Sequence, residues 1–124
     1  MDPNPASPAR AQPGPQIVQL DALEATRCPC GWARRAFTDR PGGVASVHVV
    51  EIDQDSRAHY HRAMTEIYVV LEGEGEIELD GVRHPVRPLT AVYLPPGCRH
   101  RAIGRLKILN LPVPPFDPSD EFFD

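Results

Sequence analysis

From residue 44 onward, the chain is a succession of short runs rich in β-branched or alternating residues, separated by turn signals. The runs are residues 44–52, 66–71, 76–79, 82–84, 89–94, 100–103 and 107–111, with breaks at Asp80-Gly81, Pro95-Pro96-Gly97 and Gly104. Several short strands with turn signals at close spacing are typical of an all-β barrel or sandwich. The length of 124 residues predicts one domain around one core.

Asp80-Gly81 predicts a tight hairpin between residues 76–79 and 82–84. Glycine tolerates positive φ, so an Asp-Gly pair flanked by alternating residues favours a primed two-residue turn.

The two ends of the chain differ from its middle. Residues 1–15 are rich in proline and are expected to form a mobile or polyproline-like tail. Residues 20–25 favour a short helical turn that Asp21 would cap. The end is expected to be an extended strap that docks on the barrel or on a partner subunit through Phe116, Phe122 and Phe123. The predicted organisation is a flexible tail (1–16), a strap with edge strands (17–43), the barrel (44–111) and a C-terminal strap (112–124).

The charge of the chain argues against nucleic acid as its main partner. The formal net charge is -4 and the pI is about 5.7, which leaves no broad basic face. Lys107 is the single lysine among 13 basic residues, and arginine grips carboxylates and phosphates through paired hydrogen bonds. This bias suits an anionic substrate, although a general preference for arginine codons explains it more simply. Small molecules are the expected partners.

A cytoplasmic location is expected. No window is apolar for long enough to span a bilayer, and residues 1–15 lack the basic and apolar regions of a signal peptide. Three cysteines, an odd number, fit a reducing compartment better than a disulfide framework.

Three histidines and a glutamate have a spacing typical of metal ligands. On an extended strand alternate side chains share a face, so His59 and His61 point to one side. Glu66 follows after four residues, and His100 comes from a distant segment. Imidazole nitrogen and carboxylate oxygen suit iron, manganese, nickel or zinc. The alternative is that these are ordinary interior or surface residues.

These segments resemble the cupin superfamily. In its first motif, His-x-His is followed by Glu and then Gly, which His59, His61, Glu66 and Gly73 match; in its second, Pro-x-Gly precedes His, which Pro95, Gly97 and His100 match. Three other motif positions differ, with Asp53, Leu89 and Gly104 in place of two glycines and an asparagine. The resemblance implies a single-domain jelly-roll barrel, a double-stranded β-helix with little helix, in which His59, His61, Glu66 and His100 hold a divalent metal.

Other side chains are candidates for the cavity of such a barrel. His48 either lines the pocket as an acid or base, or lies on the outer surface. Tyr68 shares strand parity with Glu66 and is expected to face the cavity, where it could hydrogen-bond a substrate, and Tyr93 could do the same. For both tyrosines the alternative is core packing. Cys98 shares a face with His100, but we expect it to be a small buried residue.

Two further sets of residues have less specific patterns. Cys28 and Cys30 form only one pair, whereas a zinc site normally needs two, so they are expected to be buried thiols at the barrel entrance. Six arginines could bind an anion: Arg34, Arg35, Arg57, Arg62, Arg99 and Arg101. Arg99 and Arg101 flank His100 and are expected on the outside of the barrel.

The first functional hypothesis is a metal-dependent enzyme that acts on a small molecule, with Tyr68 and His48 as candidate catalytic residues. The resemblance implies dioxygenases, decarboxylases, sugar-phosphate isomerases or lyases, and we favour oxygen-dependent oxidation of a small organic acid or phenol. The alternatives are a sugar-phosphate isomerase-like cupin and a non-catalytic module that binds a small ligand. A homodimer is expected, because barrels of this family often pair through sheet edges.

Overall fold

Two long strands form the centre of the structure, a computed structural model that describes residues 14–124. Strands β4 (Thr65–Leu79) and β7 (His100–Val113) pair antiparallel from one end to the other. The sequence analysis divided β4 into runs 66–71 and 76–79, and β7 into runs 100–103 and 107–111 with a break at Gly104. Both divisions were wrong, because each pair of runs belongs to one strand. At the second, Gly104 adopts a φ of 98° and pairs with Gly75, so the strand continues through it.

Five shorter strands complete an all-β sheet, as predicted. They are β1 (Thr26–Cys28), β2 (Gly31–Ala36), β3 (Val47–Ile52), β5 (Val82–Val86) and β6 (Ala91–Leu94). The strand order is β1-β2-β3-β7-β4-β5, with β6 paired to β4, and every pairing is antiparallel. Strand β4 therefore contacts β6 along its first half and β5 along its second, which curves the sheet into a barrel.

The predicted hairpin at Asp80-Gly81 is confirmed. It joins β4 to β5, and its two central residues have φ of 48° and 85°. Positive φ at both positions defines the primed turn that matches the right-handed twist of paired strands.

Apolar side chains from one face of the strands form a single core. Its buried members are Ile52, Val70, Ile77, Val86, Ala102, Leu106 and Ile108. These residues come from β3, β4, β5 and β7, so the core fills the interior of the barrel. A cavity lined by His48 and Glu66 opens beside this core. Among residues 14–124, no helix is both long and apolar enough to pass through a bilayer.

The segments before and after the barrel agree in part with the sequence analysis. Most of the predicted N-terminal tail, residues 1–13, lies outside the described residues. The helical turn is a 3-10 helix, Leu20–Ala22, but Asp21 does not cap it, and no side chain does. In the predicted C-terminal strap three aromatic rings pack on residues of the barrel end: Phe116 on His48, Phe122 on Tyr60 and Phe123 on His59.

Candidate metal centre

Four side chains converge at one end of the barrel. One nitrogen or oxygen atom from each of His59, His61, Glu66 and His100 lies within 4.8 Å of all the others. Backbone hydrogen bonds join His59 to His100 in both directions, at 3.1 and 2.9 Å, and so fix the His-x-His segment to the start of β7. The grouping expected from the spacing is therefore present in the fold.

The hydrogen bonds of two imidazoles orient their lone pairs toward one carboxylate oxygen. Nδ1 of His61 lies 2.6 Å from the carbonyl oxygen of Asp120, and Nδ1 of His100 lies 2.9 Å from that of Cys98. A carbonyl only accepts, so each Nδ1 carries the hydrogen and each neutral ring has its lone pair on Nε2. These Nε2 atoms lie 2.8 and 3.2 Å from Oε1 of Glu66.

Such an arrangement suits a cation. Two nitrogen lone pairs and a carboxylate oxygen repel one another unless a proton or a metal ion lies among them. Nε2 of His100 is buried and makes no hydrogen bond with the described residues. Three imidazole nitrogens and one carboxylate oxygen are also the donor types that divalent transition metals prefer. The residues present therefore fit a metal ion.

The imidazoles and the carboxylate shift one another's pKa values. Burial by itself would lower the pKa of His61, but the contact with Glu66 raises it. Burial by itself would raise the pKa of Glu66, but the neighbouring imidazoles of His100 and His61 hold it well below its ordinary value. Burial and the two other imidazoles lower the pKa of His59 to about 4, so this ring is neutral. Its Nε2 also lies 3.6 Å from Oε1 of Glu121.

Two residues that the sequence analysis missed hold the group in place. Nδ2 of Asn110 donates a hydrogen bond of 2.6 Å to Oε2 of Glu66, the oxygen that faces away from the imidazoles. Asp120 accepts from His61 through its backbone and from the N–H groups of residues 62–64 through its carboxylate. Neither residue lies in a recognisable motif, because each acts from a segment more than 40 positions from its partner.

A cavity of about 390 Å³ opens beside the group. One cross-strand row of polar side chains runs along its wall, from Arg35 on β2 through His48 and Asn110 to Tyr68 on β4. Burial and the charge of Arg35 lower the pKa of His48 to about 4, so this imidazole is neutral. Burial raises the pKa of Tyr68 well above its ordinary value, so its hydroxyl keeps its proton.

The other candidates from the sequence have different positions. His48 lines the cavity, which resolves the two alternatives for it, and Tyr68 lines it as expected. Tyr93 is 66% exposed, so its predicted cavity role was wrong: it pairs with Ile67, whose side chain has the opposite parity to that of Glu66. Cys98 does not line the cavity, and its sulfur lies 3.7 Å from the carbonyl oxygen of Arg99.

The cysteine pair and the arginines can now be placed. Cys28 and Cys30 are half-buried in the cavity wall with their sulfur atoms 3.8 Å apart. Arg99 and Arg101 pair with acidic residues, as expected for side chains directed away from the group. The arginines that remain as candidate anion clamps in the cavity wall are Arg35 and Arg57.

One family model and several proteins of similar sequence or structure match the chain. A family model described as "Cupin domain" matches residues 46–106. A protein of solved structure from Planctomyces limnophilus is 46% identical, with a TM-score of 0.84 over 90% of this chain and 98% of that chain. The uncharacterized protein MJ1618 of Methanocaldococcus jannaschii is 34% identical over 76 residues, 58% of this chain. The match spans 61% of that curated relative's own length, under two thirds of it.

A likeness in fold extends to a protein of known activity. Pac13 from Streptomyces, described as a unique nucleoside dehydratase, has a TM-score of 0.76 and 16% identity, over 88% of this chain and 90% of that chain. At this identity the match shows a common fold.

Proposed function

Because this chain belongs to the cupin superfamily, we propose that it is a metal-dependent enzyme that acts on a small molecule. His59, His61, Glu66 and His100 hold a divalent transition metal, which is iron, manganese, nickel or zinc. One observation carries the proposal: Nε2 of His61 and Nε2 of His100 lie 2.8 and 3.2 Å from the same buried oxygen of Glu66, while Nδ1 of each ring is hydrogen-bonded to a backbone carbonyl.

The side chains around the group suit catalysis. When bound, the ion would supply Lewis-acid polarisation of the substrate or, in the case of iron, oxygen chemistry. Tyr68 keeps its proton and can donate a hydrogen bond to a substrate oxygen. His48 is neutral and can accept a proton. A volume of about 390 Å³ limits the substrate to a small molecule.

Oxygen-dependent oxidation of a small organic acid or phenol is the first candidate reaction. It is tested by incubating iron-loaded protein with a panel of such compounds, with and without oxygen, and following both substrate loss and oxygen uptake. Turnover that requires both iron and oxygen is expected. Metal-dependent turnover that continues at the same rate without oxygen contradicts this reaction.

The second candidate is a proton-transfer reaction, either elimination or isomerisation of the sugar-phosphate type. It is favoured by Tyr68 and His48, a donor and an acceptor in the same cavity row. Pac13, a nucleoside dehydratase of the same fold, is an example of such chemistry. This candidate predicts turnover independent of oxygen and greatly reduced in both Tyr68→Phe and His48→Gln.

Metal content tests the proposal independently of any substrate. Protein purified without chelator is expected to contain about one transition-metal ion per chain by elemental analysis, and His61→Ala is expected to lose most of it. His84→Ala is the matched control, because His84 is exposed on β5. Equal metal content in His61→Ala and His84→Ala, with both variants folded, contradicts the proposal.

Mass spectrometry separates an enzyme from a non-catalytic module, the remaining alternative. A binding module would retain a co-purified metabolite unchanged after prolonged incubation with metal, whereas an enzyme would convert it. Conversion is the outcome that we expect.

We further propose that the chain forms a homodimer through a sheet edge. Strands β1 and β5 end the strand path, and unpaired edges of this kind need to be covered. Size-exclusion chromatography with light scattering is expected to give twice the mass of the chain, and a strict monomer contradicts the dimer.

A further inference from the structure

Arg35 carries a positive charge in the cavity wall. Its Nε is buried and has no hydrogen-bond acceptor among residues 14–124, and no carboxylate of those residues lies within 4.0 Å of its guanidinium. Its neighbour Arg34, by contrast, lies 3.6 Å from Glu51 and donates to the carbonyl oxygen of Leu23. A buried donor on a charged group without an acceptor is costly, so this position calls for an acceptor from outside the chain.

The guanidinium of Arg35 is held by an aromatic ring. Its central carbon lies 4.5 Å from the centroid of the Phe116 ring, a distance typical of a cation-π contact. The same ring packs edge-on against His48 at 5.2 Å. This packing restricts the side chain before any ligand arrives, which lowers the entropy cost of binding one.

Arg35 lies two strands away from Asn110, which contacts the four-residue group of His59, His61, Glu66 and His100. Arg35 pairs with His48 and His48 pairs with Asn110, so two strand spacings, about 10 Å, separate the backbones of Arg35 and Asn110. Asn110 donates directly to Glu66 and keeps a buried Oδ1 without a donor. Because Arg35 and three members of the group, His59, His61 and Glu66, line the same cavity, one small molecule could contact the group at one end and Arg35 at the other.

The charges of the cavity wall favour an anion at the Arg35 end. The carboxylates of the wall are Glu66 and Glu121, and both face imidazoles of the four-residue group. The Cys28 thiol can also carry negative charge, because its hydrogen bond with Cys30 and the charge of Arg35 lower its pKa to about 6. Arg57 is a second cation of the wall, 4.3 Å from the Phe123 ring and without an ion pair among residues 14–124. No carboxylate of residues 14–124 therefore pairs with either of these two cations of the wall.

We propose that Arg35 binds an anionic group, a carboxylate or a phosphate, on the substrate, and so determines which small molecules enter the cavity. This proposal rests on the proposed function, because it assumes that the other end of the substrate lies at a metal ion held by the four-residue group. The planar guanidinium can donate two parallel hydrogen bonds to either anion. Because Arg35 contacts the end of the substrate remote from the metal ligands, its loss affects substrate binding and leaves the metal in place.

The test measures ligand binding to the whole 124-residue chain as purified, with its metal content determined in the same samples. The probes are benzoate, phenyl phosphate and uncharged benzamide, followed by calorimetric titration at low salt. Benzoate or phenyl phosphate is expected to bind at least tenfold more tightly than benzamide, and the stronger of the two identifies the anion. Arg35→Met is expected to weaken anion binding 10- to 100-fold without changing the benzamide affinity.

Two variants keep the test interpretable. Arg34→Met is the matched control, since Arg34 is the next residue on the strand and is already ion-paired, and it is expected to bind like wild type. Arg35→Lys keeps the charge without the planar fork and is expected to recover only part of the affinity, which also covers the case in which Arg35→Met fails to fold.

The proposal is overturned if neither anion binds better than benzamide, or if Arg35→Met and Arg35→Lys both bind the anions as wild type does. Its failure is distinguishable from that of the proposed function. Normal metal content with no dependence on Arg35 overturns only the anion site, whereas Arg35-dependent binding in protein that takes up no metal overturns only the metal centre.

Discussion

The backbone carbonyl of Asp120 accepts a hydrogen bond of 2.6 Å from Nδ1 of His61, while its carboxylate accepts the N–H groups of residues 62–64. One buried residue of the C-terminal segment therefore fixes both the tautomer of a candidate metal ligand and the loop that follows it. Partners of this kind commonly affect metal affinity nearly as strongly as the ligands do.

Asp120→Ala is expected to weaken metal binding about 10- to 100-fold, because the strap no longer holds the loop that carries His61. Leaving buried N–H groups unsatisfied is also expected to lower the free energy of unfolding by about 1–3 kcal/mol. Asp120→Asn keeps an acceptor oxygen and should recover part of both losses. Metal affinity is measured by competition with a chromogenic chelator, with Asp39→Ala, an exposed position, as the control. Unchanged affinity in Asp120→Ala contradicts the role assigned to the strap.

Glu66→Gln should separate metal binding from stability. In metal-free protein an amide NH₂ can donate to Nε2 of His61, which the carboxylate cannot do, while the amide oxygen still accepts from Asn110. At alkaline pH, where His61 is neutral although Glu66 raises its pKa, the metal-free variant is therefore expected to melt no lower than metal-free wild type. Its melting temperature should not rise on adding metal, whereas that of wild type should. A metal-dependent rise of equal size in both proteins is evidence against Glu66 as a ligand.

The thiol of Cys28 is expected to react at unusually low pH. The hydrogen bond with Cys30 is the main cause that lowers the pKa of Cys28 to about 6, with the charge of Arg35 acting in the same direction, and it raises the pKa of Cys30. The thiolate is the nucleophile, so alkylation of Cys28 should be half-maximal near pH 6 and fall below it. Peptide mass spectrometry after iodoacetamide measures this, with Cys98, whose pKa burial raises, as the internal control.

Cys30→Ala provides the complementary measurement. Without the neighbouring thiol, the pKa of Cys28 should return toward the ordinary value of about 8.5. An unchanged alkylation profile in this variant would show that the pair does not interact.

Leu89 stands where the family motif has glycine, and its φ of 74° is in the left-handed region. Its side chain is 83% exposed, so packing contributes little there. Leu89→Gly is expected to be at least as stable as wild type, because the strain relieved, about 1–2 kcal/mol, offsets the added freedom of the unfolded chain. Leu89→Ile, of equal size but β-branched, should be less stable than wild type. Urea unfolding in which Leu89→Gly and Leu89→Ile are equally stable contradicts the strain.

Local patterns sufficed to predict the residues whose position depends on neighbours in sequence. His59 and His61 share a segment, and Asp80-Gly81 forms its own turn, so spacing and backbone preference indicated both correctly. Glu66 and His100 needed the motif in addition. In the pairing of β4 with β7, Glu66 lies opposite Pro112 and His100 lies opposite Leu79, so the two residues meet only because the sheet curves into a barrel.

Residues whose role depends on register could not be predicted in the same way. His48 faces the cavity because β3 pairs with β7 so that His48 lies opposite Asn110, and no short pattern reveals that alignment. Tyr93 was misplaced for the same reason, since a shift of one residue moves a side chain to the other face. Asp120 was missed because its contact with His61 spans 59 positions.

The cavity wall contains two sets of polar side chains that come from different parts of the chain. The four-residue group belongs to the His-x-His segment, β4 and β7, whereas Arg35, Cys28 and Cys30 belong to the β1-β2 hairpin at the border of the sheet. If Arg35 binds the substrate as proposed, substitutions in that hairpin alter which compound is accepted and leave the four-residue group intact. Divergence within such a scaffold would then alter specificity before it alters chemistry, and engineering of new preferences should begin at this hairpin.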